Sequence, residues 1–357
     1  MAASVSIIGL GLIGGSIAKA LRQSADIKIS AYDTDEVLLS AYSLGVIDKK
    51  LECVEQSLES EIIFLSLPVD ESIKIFTKLI PLLKENQIIT DVCGVKSPFR
   101  EIWNRSSSKG IYIGGHPMTG KEVSGFQNSD PTLFENAVYI LCDAESKDPK
   151  INSLLEIINL LGARITFLNS KVHDIVVASV SHLPQLIAVS LINSASLKEN
   201  DINFFDFAAG GFRDMTRIAS SDFEIWKSVF GYNKNNIVYA IDNFINDLQN
   251  MKKILSSGDP ESIHKKFESA RIKRDEIPRN TKGFINSLFD IFVYVKDEPG
   301  VLAKLTSLLY NNGINIKDIE LLKVREGTGG TFRVSFESDE TAKRAKRFLS
   351  ESGFKVN

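Results

Sequence analysis

Val5-Ser6-Ile7-Ile8-Gly9-Leu10-Gly11-Leu12-Ile13-Gly14-Gly15 runs an apolar strand straight into G-x-G-x-x-G. This is the phosphate-gripping turn of a dinucleotide-binding βαβ unit. Gly9 makes the tight turn, Gly11 lets the backbone approach a pyrophosphate, and Gly14 lets strand and helix pack closely. The backbone of Leu12 and Ile13 opens that helix towards the phosphates. A second strand-like run, residues 27–32, ends in Asp33, about 20 residues past the glycines, where a carboxylate binds the ribose hydroxyls and repels a 2′-phosphate. NAD is therefore the expected cofactor. Ser66-Leu67-Pro68 follows the third predicted parallel strand, at the carboxyl edge where a cofactor should lie, and Asp91, closing the next, is assigned to the same edge.

At 357 residues the chain calls for two or three domains. A hydrophobic content of 43% with 24% charged residues marks a globular chain rather than a disordered one. A net charge of −3 gives no basic surface for nucleic acid, and no nucleic-acid partner is expected. Cys53, Cys93 and Cys142 are scattered without paired spacing, so neither a disulfide framework nor a metal site is indicated. The first strand begins too early for a signal peptide, and no apolar stretch is read as reaching the ~18 residues needed to span a bilayer. A cytoplasmic protein with no membrane partner is the expectation.

Strand candidates at 4–8, 27–32, 61–67, 87–92, 110–114, 137–142 and 163–167 alternate with helical stretches. That alternation predicts a doubly wound, mostly parallel Rossmann-type α/β domain over residues 1–168. From 171 to about 282 no strand is expected. Two long apolar helical segments, 172–197 and 223–255, predict an all-α domain over 169–284. Such apolar helices need covering, so a homodimer through this domain is expected. Residues 288–357 read as strand, helix, two strands joined by a hairpin turn at 327–330, a helix capped by Ser338, and a final short strand. That βαββαβ order is ferredoxin-like.

Three more motifs narrow the identity: Gly114-Gly115-His116-Pro117-Met118-Thr119-Gly120, Ser181-His182-Leu183-Pro184 with His173-Asp174 upstream, and Gly210-Gly211-Phe212-Arg213-Asp214-Met215-Thr216-Arg217-Ile218-Ala219. With the glycine motif, over roughly residues 4–283, these resemble the prephenate/arogenate dehydrogenase family of tyrosine biosynthesis. The last 70 residues resemble an ACT domain, a small regulatory module that commonly senses amino acids, with Asp297-Glu298-Pro299-Gly300 as its ligand-side turn.

The resemblance implies that prephenate and NAD give 4-hydroxyphenylpyruvate, carbon dioxide and NADH. The C4 hydrogen of a cyclohexadienol leaves as hydride more easily if the C4 hydroxyl gives up its proton, and a neutral imidazole can take it. His116 matches the family's catalytic histidine. Lys96 is assigned beside it, to anchor substrate charge or the nicotinamide side. The substrate is a dianion, and Arg217 matches the family's substrate-binding arginine. His182, Gln185 and Arg213 complete the expected substrate set. His173 and His182, nine positions apart, fall on opposite faces of a straight helix, so His173 is read as a supporting or structural group unless the chain bends before Pro184. An L-tyrosine effector is expected near Asp297, Gly300 and Asn315.

Two departures from the family pattern stand out. Many members carry Asp-Val-Gly-Ser-Val-Lys where this chain has Asp91-Val92-Cys93-Gly94-Val95-Lys96, so the serine hydroxyl is missing and water or Cys93 is left to fill its place. Gln185 stands where prephenate-preferring members often have a second histidine, which leaves arogenate as the alternative substrate. Other classes fit less well. A β-hydroxyacid dehydrogenase would place its catalytic lysine in the helical domain, and a non-enzymatic sensor of NAD and amino acids has no use for a proton acceptor at His116.

Overall fold

Short β-branched runs separated by amphipathic segments build the N-terminal part as the sequence predicts. The computed structural model describes residues 4–24, 27–121, 123–195, 198–199, 202–276, 288–325 and 329–357, and the chain divides into two units, Met1–Ile263 and His264–Asn357. The first opens with β1 (Ser4–Ile8), α1 (Leu12–Ser24), β2 (Lys28–Tyr32), α2 (Asp35–Ser43) and the two-residue β3 (Lys49–Lys50). Next come β4 (Ile62–Leu65), α3 (Val69–Leu79), β5 (Ile88–Asp91), α4 (Ser97–Asn104) and β6 (Ile111–Pro117). β7 (Val138–Cys142), α5 (Asn152–Leu160) and β8 (Arg164–Leu168) complete the sheet. Its order is β3-β2-β1-β4-β5-β6-β7-β8, parallel except where β7 runs against β6. Neighbouring Ile7 and Ile8 are both fully buried but feed separate apolar clusters, so helices cover both sheet faces. The strand order reverses between β1 and β4, whose carboxyl ends form the crevice that receives ligands in such folds.

The helical part of this unit begins with α6 (Ser170–Val177), a π-helical turn at Ala178–His182, and α7 (Leu183–Ser194). Two two-residue strands, β9 (Lys198–Glu199) and β10 (Ile202–Asn203), pair antiparallel, which corrects the expectation of no strand here. Then follow α8 (Gly210–Thr216), α9 (Phe223–Tyr232), α10 (Lys234–Ser257) and α11 (Pro260–Glu276), which crosses into the second unit. The expected single segment over 223–255 is broken at Asn233, whose side chain turns inward. A second correction concerns length. The continuous helical run Ser170–Ser194 has 25 residues and contains an 18-residue window of mean hydropathy 1.9, long and apolar enough by composition to cross a bilayer. Residues 175–192 carry no charged side chain, and scattered Ser, His, Pro and Gln hid that from the sequence reading. Those polar groups serve the site described below, with His182 and Gln185 buried within the unit.

The second unit carries β11 (Phe289–Val295), α12 (Val301–Asn311), β12 (Asp318–Arg325), β13 (Gly329–Phe336), α13 (Asp339–Glu351) and β14 (Lys355–Val356). Its antiparallel sheet has the order β12-β13-β11-β14, the expected ferredoxin-like arrangement. Along β11, Ile291, Val293 and Val295 are buried with Leu305, Leu309 and Leu349 of the helices, and the alternate residues are exposed. Ser338 caps α13, its hydroxyl accepting from the Thr341 N–H at 3.1 Å. The tip of the expected hairpin turn and the expected boundary at 284–288 lie wholly or partly outside the described residues.

Candidate active site

At the carboxyl end of β1, Gly9 adopts φ +96°, and a Cβ there would stand 2.5 Å from the Ser66 carbonyl oxygen. A Cβ on Gly14 would lie 1.9 Å from the Gly9 carbonyl oxygen, so the turn admits no side chain. Gly11 faces open space, with nothing within 4 Å of an added Cβ. The half-buried Asp33 is held by two short hydrogen bonds of 2.6 Å, from the N–H groups of Leu10 and Thr34. Ser66, just past β4, has a buried hydroxyl with no protein partner. An open approach at Gly11, Leu12 and Ile13 on the first turn of α1, and an unsatisfied hydroxyl at Ser66 fit a dinucleotide laid across the crevice. Leu67 and Pro68 border the same edge.

Asp91 and Lys96 are placed elsewhere. Both side chains are fully buried and form an ion pair with each other. The remaining Asp91 oxygen accepts from the Tyr112 hydroxyl at 2.9 Å, and the Cys93 N–H donates to the first. The Lys96 ammonium also lies 5.4 Å from the centre of the Phe99 ring. Both side chains are closed off by burial, and neither is in the lining of the pocket at His116, which departs from the expected substrate and cofactor contacts.

His116, on β6, heads a chain of hydrogen bonds into the protein. Its Nδ1 is 2.8 Å from Nε2 of His173, and His173 Nδ1 is 2.8 Å from Oδ1 of Asp174. The Asp174 carboxylate accepts the backbone N–H groups of Lys96 and Ser97 at 2.8 and 2.9 Å. Burial pushes its pKa up, but the bond from His173 and then those from Ser97 and Lys96 hold it below the usual carboxylate value. Burial, then the neighbouring His173, Lys96 and His182, push His116 well below the ordinary imidazole pKa, so it is neutral at pH 7. His173 is lowered too, by burial, against the pull of Asp174.

The π-helical turn at 178–182 reconciles the two histidines that a straight helix would separate. Its wider i→i+5 pitch shifts the register between α6 and α7. His173 thereby reaches His116 while His182 lines the same pocket. Burial lowers the His182 pKa to about 4. The Asn233 amide donates to the Asp174 carbonyl at 2.7 Å and to His182 Nδ1 at 3.2 Å. Neutral His182 thus carries its proton on Nε2.

The pocket has a volume of about 510 Å³, and its lining includes Gly94, His116, Lys121, His182, Gln185 and Trp226. A Cβ on Gly94 would sit 3.9 Å from His116 Nε2, so that nitrogen looks across Gly94. The Cys93 thiol does not fill the gap. It lies 3.8 Å from the Leu67 carbonyl and burial pushes its pKa up to about 12. Gln185 donates to the Ile218 carbonyl at 3.0 Å. Arg217 is exposed on the turn after α8 and is not among the lining residues, although its neighbour Ile218 is. Arg213 is exposed on α8, its Nε 3.3 Å from the Ala208 carbonyl. Sequence reasoning missed Lys121, Trp226 and Asn233. Lys121 directly follows the His-Pro-Met-Thr-Gly motif, and Asn233 marks the break between α9 and α10, so both had a local signal.

In the second unit a cavity of about 420 Å³ includes Asp297, Gly300, Leu321 and Phe332 in its lining. Gly300 takes φ +84° and leads into α12. Asn315 is exposed and lines neither this cavity nor the neighbouring one on the other side of the turn.

Comparison with known proteins agrees with this geometry. Residues 17–167 match the nucleotide-binding domain of prephenate dehydrogenase, 169–269 its dimerization domain, and 289–347 the ACT domain. The prephenate dehydrogenase of Bacillus subtilis (strain 168) is 33% identical, over 97% of this chain and 95% of its own. A crystal structure of prephenate dehydrogenase from A. aeolicus, in complex with hydroxyphenyl propionate and NAD+, is 31% identical. It superposes with a TM-score of 0.69 over 78% of this chain and 99% of its own. The Synechocystis arogenate dehydrogenase structure is 28% identical, with a TM-score of 0.66 over 76% and 99%. Dinucleotide crevice, histidine-lined pocket and matches along nearly the whole length converge: the chain belongs to the prephenate dehydrogenase family and carries an ACT domain at its C-terminal end.

Proposed function

We propose that this chain is an NAD-dependent prephenate dehydrogenase, converting prephenate to 4-hydroxyphenylpyruvate with loss of carbon dioxide. The observation that carries the proposal is His116, neutral and with Nε2 facing a pocket wide enough for a cyclohexadienol. Gly9, Gly11, Leu12, Ile13, Gly14, Asp33, Ser66, Leu67 and Pro68 hold NAD, which when bound takes up the C4 hydride. His116 Nε2 accepts the proton of the C4 hydroxyl as that C–H bond breaks, and the proton returns to the phenolate oxygen that forms on decarboxylation. His182 Nε2–H is a donor to the substrate. Lys121 is the ammonium among the described residues of the pocket lining; it is ion-paired with Asp130 at 3.0 Å and turns from that exposed carboxylate to a substrate carboxylate, while Arg217 and Arg213 remain proposed anchors from beside the pocket. Mixing the protein with NAD and prephenate yields NADH; a protein inert to prephenate and arogenate alike refutes the proposal.

Arogenate is the second reading, favoured by Gln185. Its amide nitrogen is taken up by the Ile218 carbonyl, which leaves the amide oxygen as an acceptor that suits an amino group. The ratio of kcat/KM for the two substrates decides between them.

Asp33 sets the cofactor. A carboxylate facing a 2′-phosphate costs several kcal/mol in a partly dry site, so NAD outperforms NADP by roughly 10²-fold or more in kcat/KM. Equal efficiency with both cofactors contradicts the assignment.

The domains are proposed as 1–168 for NAD, 169–284 for substrate and dimerization, and 288–357 for regulation. Exposed Val172, Ile175, Val180 and Leu248 support a homodimer through the helical part. Three free cysteines, Cys93 and Cys142 buried among them, suit a reducing cytoplasm. L-tyrosine is the proposed effector, bound in the cavity at Asp297 and Gly300, with Asn315 exposed outside it. Inhibition by tyrosine then disappears on truncation after Lys282; equal inhibition of both proteins places tyrosine at the active site instead.

A further inference from the structure

We propose that His173 and Asp174 form a closed relay that sets the tautomer of His116 and takes over the proton His116 receives. This rests on the proposed role of His116 as proton acceptor. Asp174 binds two backbone N–H groups, so it is an acceptor only, and the third group it meets, His173 Nδ1, must donate. A neutral His173 then has a lone pair on Nε2, 2.8 Å from His116 Nδ1, and the hydrogen between them belongs to His116. That assignment leaves His116 Nε2 unprotonated on the side facing Gly94 and the pocket. Each link determines the next, from two backbone amides to the one nitrogen that must be free.

The same chain moves charge. When Nε2 of His116 takes the substrate hydroxyl proton, its Nδ1–H passes to Nε2 of His173. The imidazolium then lies on His173, whose Nδ1–H stays with the Asp174 carboxylate. His116 is neutral again, and the positive charge has moved from a ring that burial disfavours charging to one paired with an anion. Reversal returns the proton to the phenolate oxygen, so the reaction releases no net proton and the relay needs no path to solvent. His173 is fully buried and Asp174 nearly so, as a closed loan of a proton requires.

The converse follows. A proton resting on His173 before substrate reacts would donate to His116 Nδ1 and force the proton onto Nε2, which switches off the base. The groups facing the pair are Lys96, His182, Asp91 and Asp174, and only the carboxylates favour this uptake. The acid limb of kcat therefore belongs to the pair and not to either ring.

Nitrogen-15 NMR of the full chain labelled at histidine reads the tautomer directly. With four histidines, single His→Gln variants assign the signals. His116 is expected with Nδ1 protonated and Nε2 unprotonated near pH 7; the opposite tautomer overturns the proposal. Kinetics give the second readout. His173→Gln keeps an acceptor for His116 but cannot carry the proton, so plateau kcat falls about tenfold, and His173→Leu falls roughly 10²-fold. KM values stay within twofold, and the acid limb moves to lower pH in both, because the first protonation site is gone. Loss of kcat with the acid limb unmoved makes His173 merely structural and overturns the relay. An active His116→Asn variant removes the base and the relay together, whereas an inactive variant alongside the wrong His116 tautomer in the unsubstituted protein removes the relay alone.

Discussion

His116→Asn is expected to lose roughly 10²–10⁴-fold in kcat with KM for both substrates nearly unchanged. Asparagine fills part of the same space and keeps a hydrogen-bonding group, but it offers no nitrogen lone pair to take a proton. Its neighbours do not substitute. His182 carries its proton on Nε2, with Nδ1 engaged by Asn233 at 3.2 Å, and burial holds its pKa at about 4. His173 is fully buried behind His116. Steady-state kinetics, with Tm as a control for folding, check this. Near-normal turnover would move the base elsewhere, and a raised KM with unchanged kcat would make His116 a binding group.

Lys96→Met is expected to cost about 3–5 kcal/mol of stability, because it leaves the Asp91 carboxylate buried without its ion. The ammonium and carboxylate are both fully buried, and the Tyr112 hydroxyl and one backbone N–H do not supply a positive charge. Lys96 also donates its own N–H to Asp174, so its loop supports the carboxylate behind His173. Denaturant unfolding of the first unit's transition measures the loss, and Asp91→Asn in the same background recovers part of it. A fully stable variant whose only defect is a raised substrate KM would return Lys96 to the substrate side.

Much of this was legible in the sequence because each element announced itself locally. The run 5–15 fixes a strand, a turn without side chains and a helix, and β1 falls on its expected residues. Where the reading slipped, the missing information was not local. Asp91 and Lys96 look like a cofactor edge and a substrate cation in a one-dimensional motif, yet their side chains pair with each other and are fully buried. The opposite-face placement of His173 and His182 followed from a constant 100° per residue, and one π-helical turn undoes it. Periodicity carries no sign of such a turn. Arg217 matched the family motif, and the fold sets it beside the pocket while Lys121 lines it. Gly94 reads as a missing hydroxyl in the sequence; in the structure it is the opening through which His116 Nε2 meets the pocket.

Prephenate carrying deuterium at C4 tests the central chemistry most directly. The proposed reaction predicts that the purified protein, with NAD, transfers the label to NADH and releases carbon dioxide in equal amount. Label kept in the organic product, or NADH formed without carbon dioxide, would contradict it.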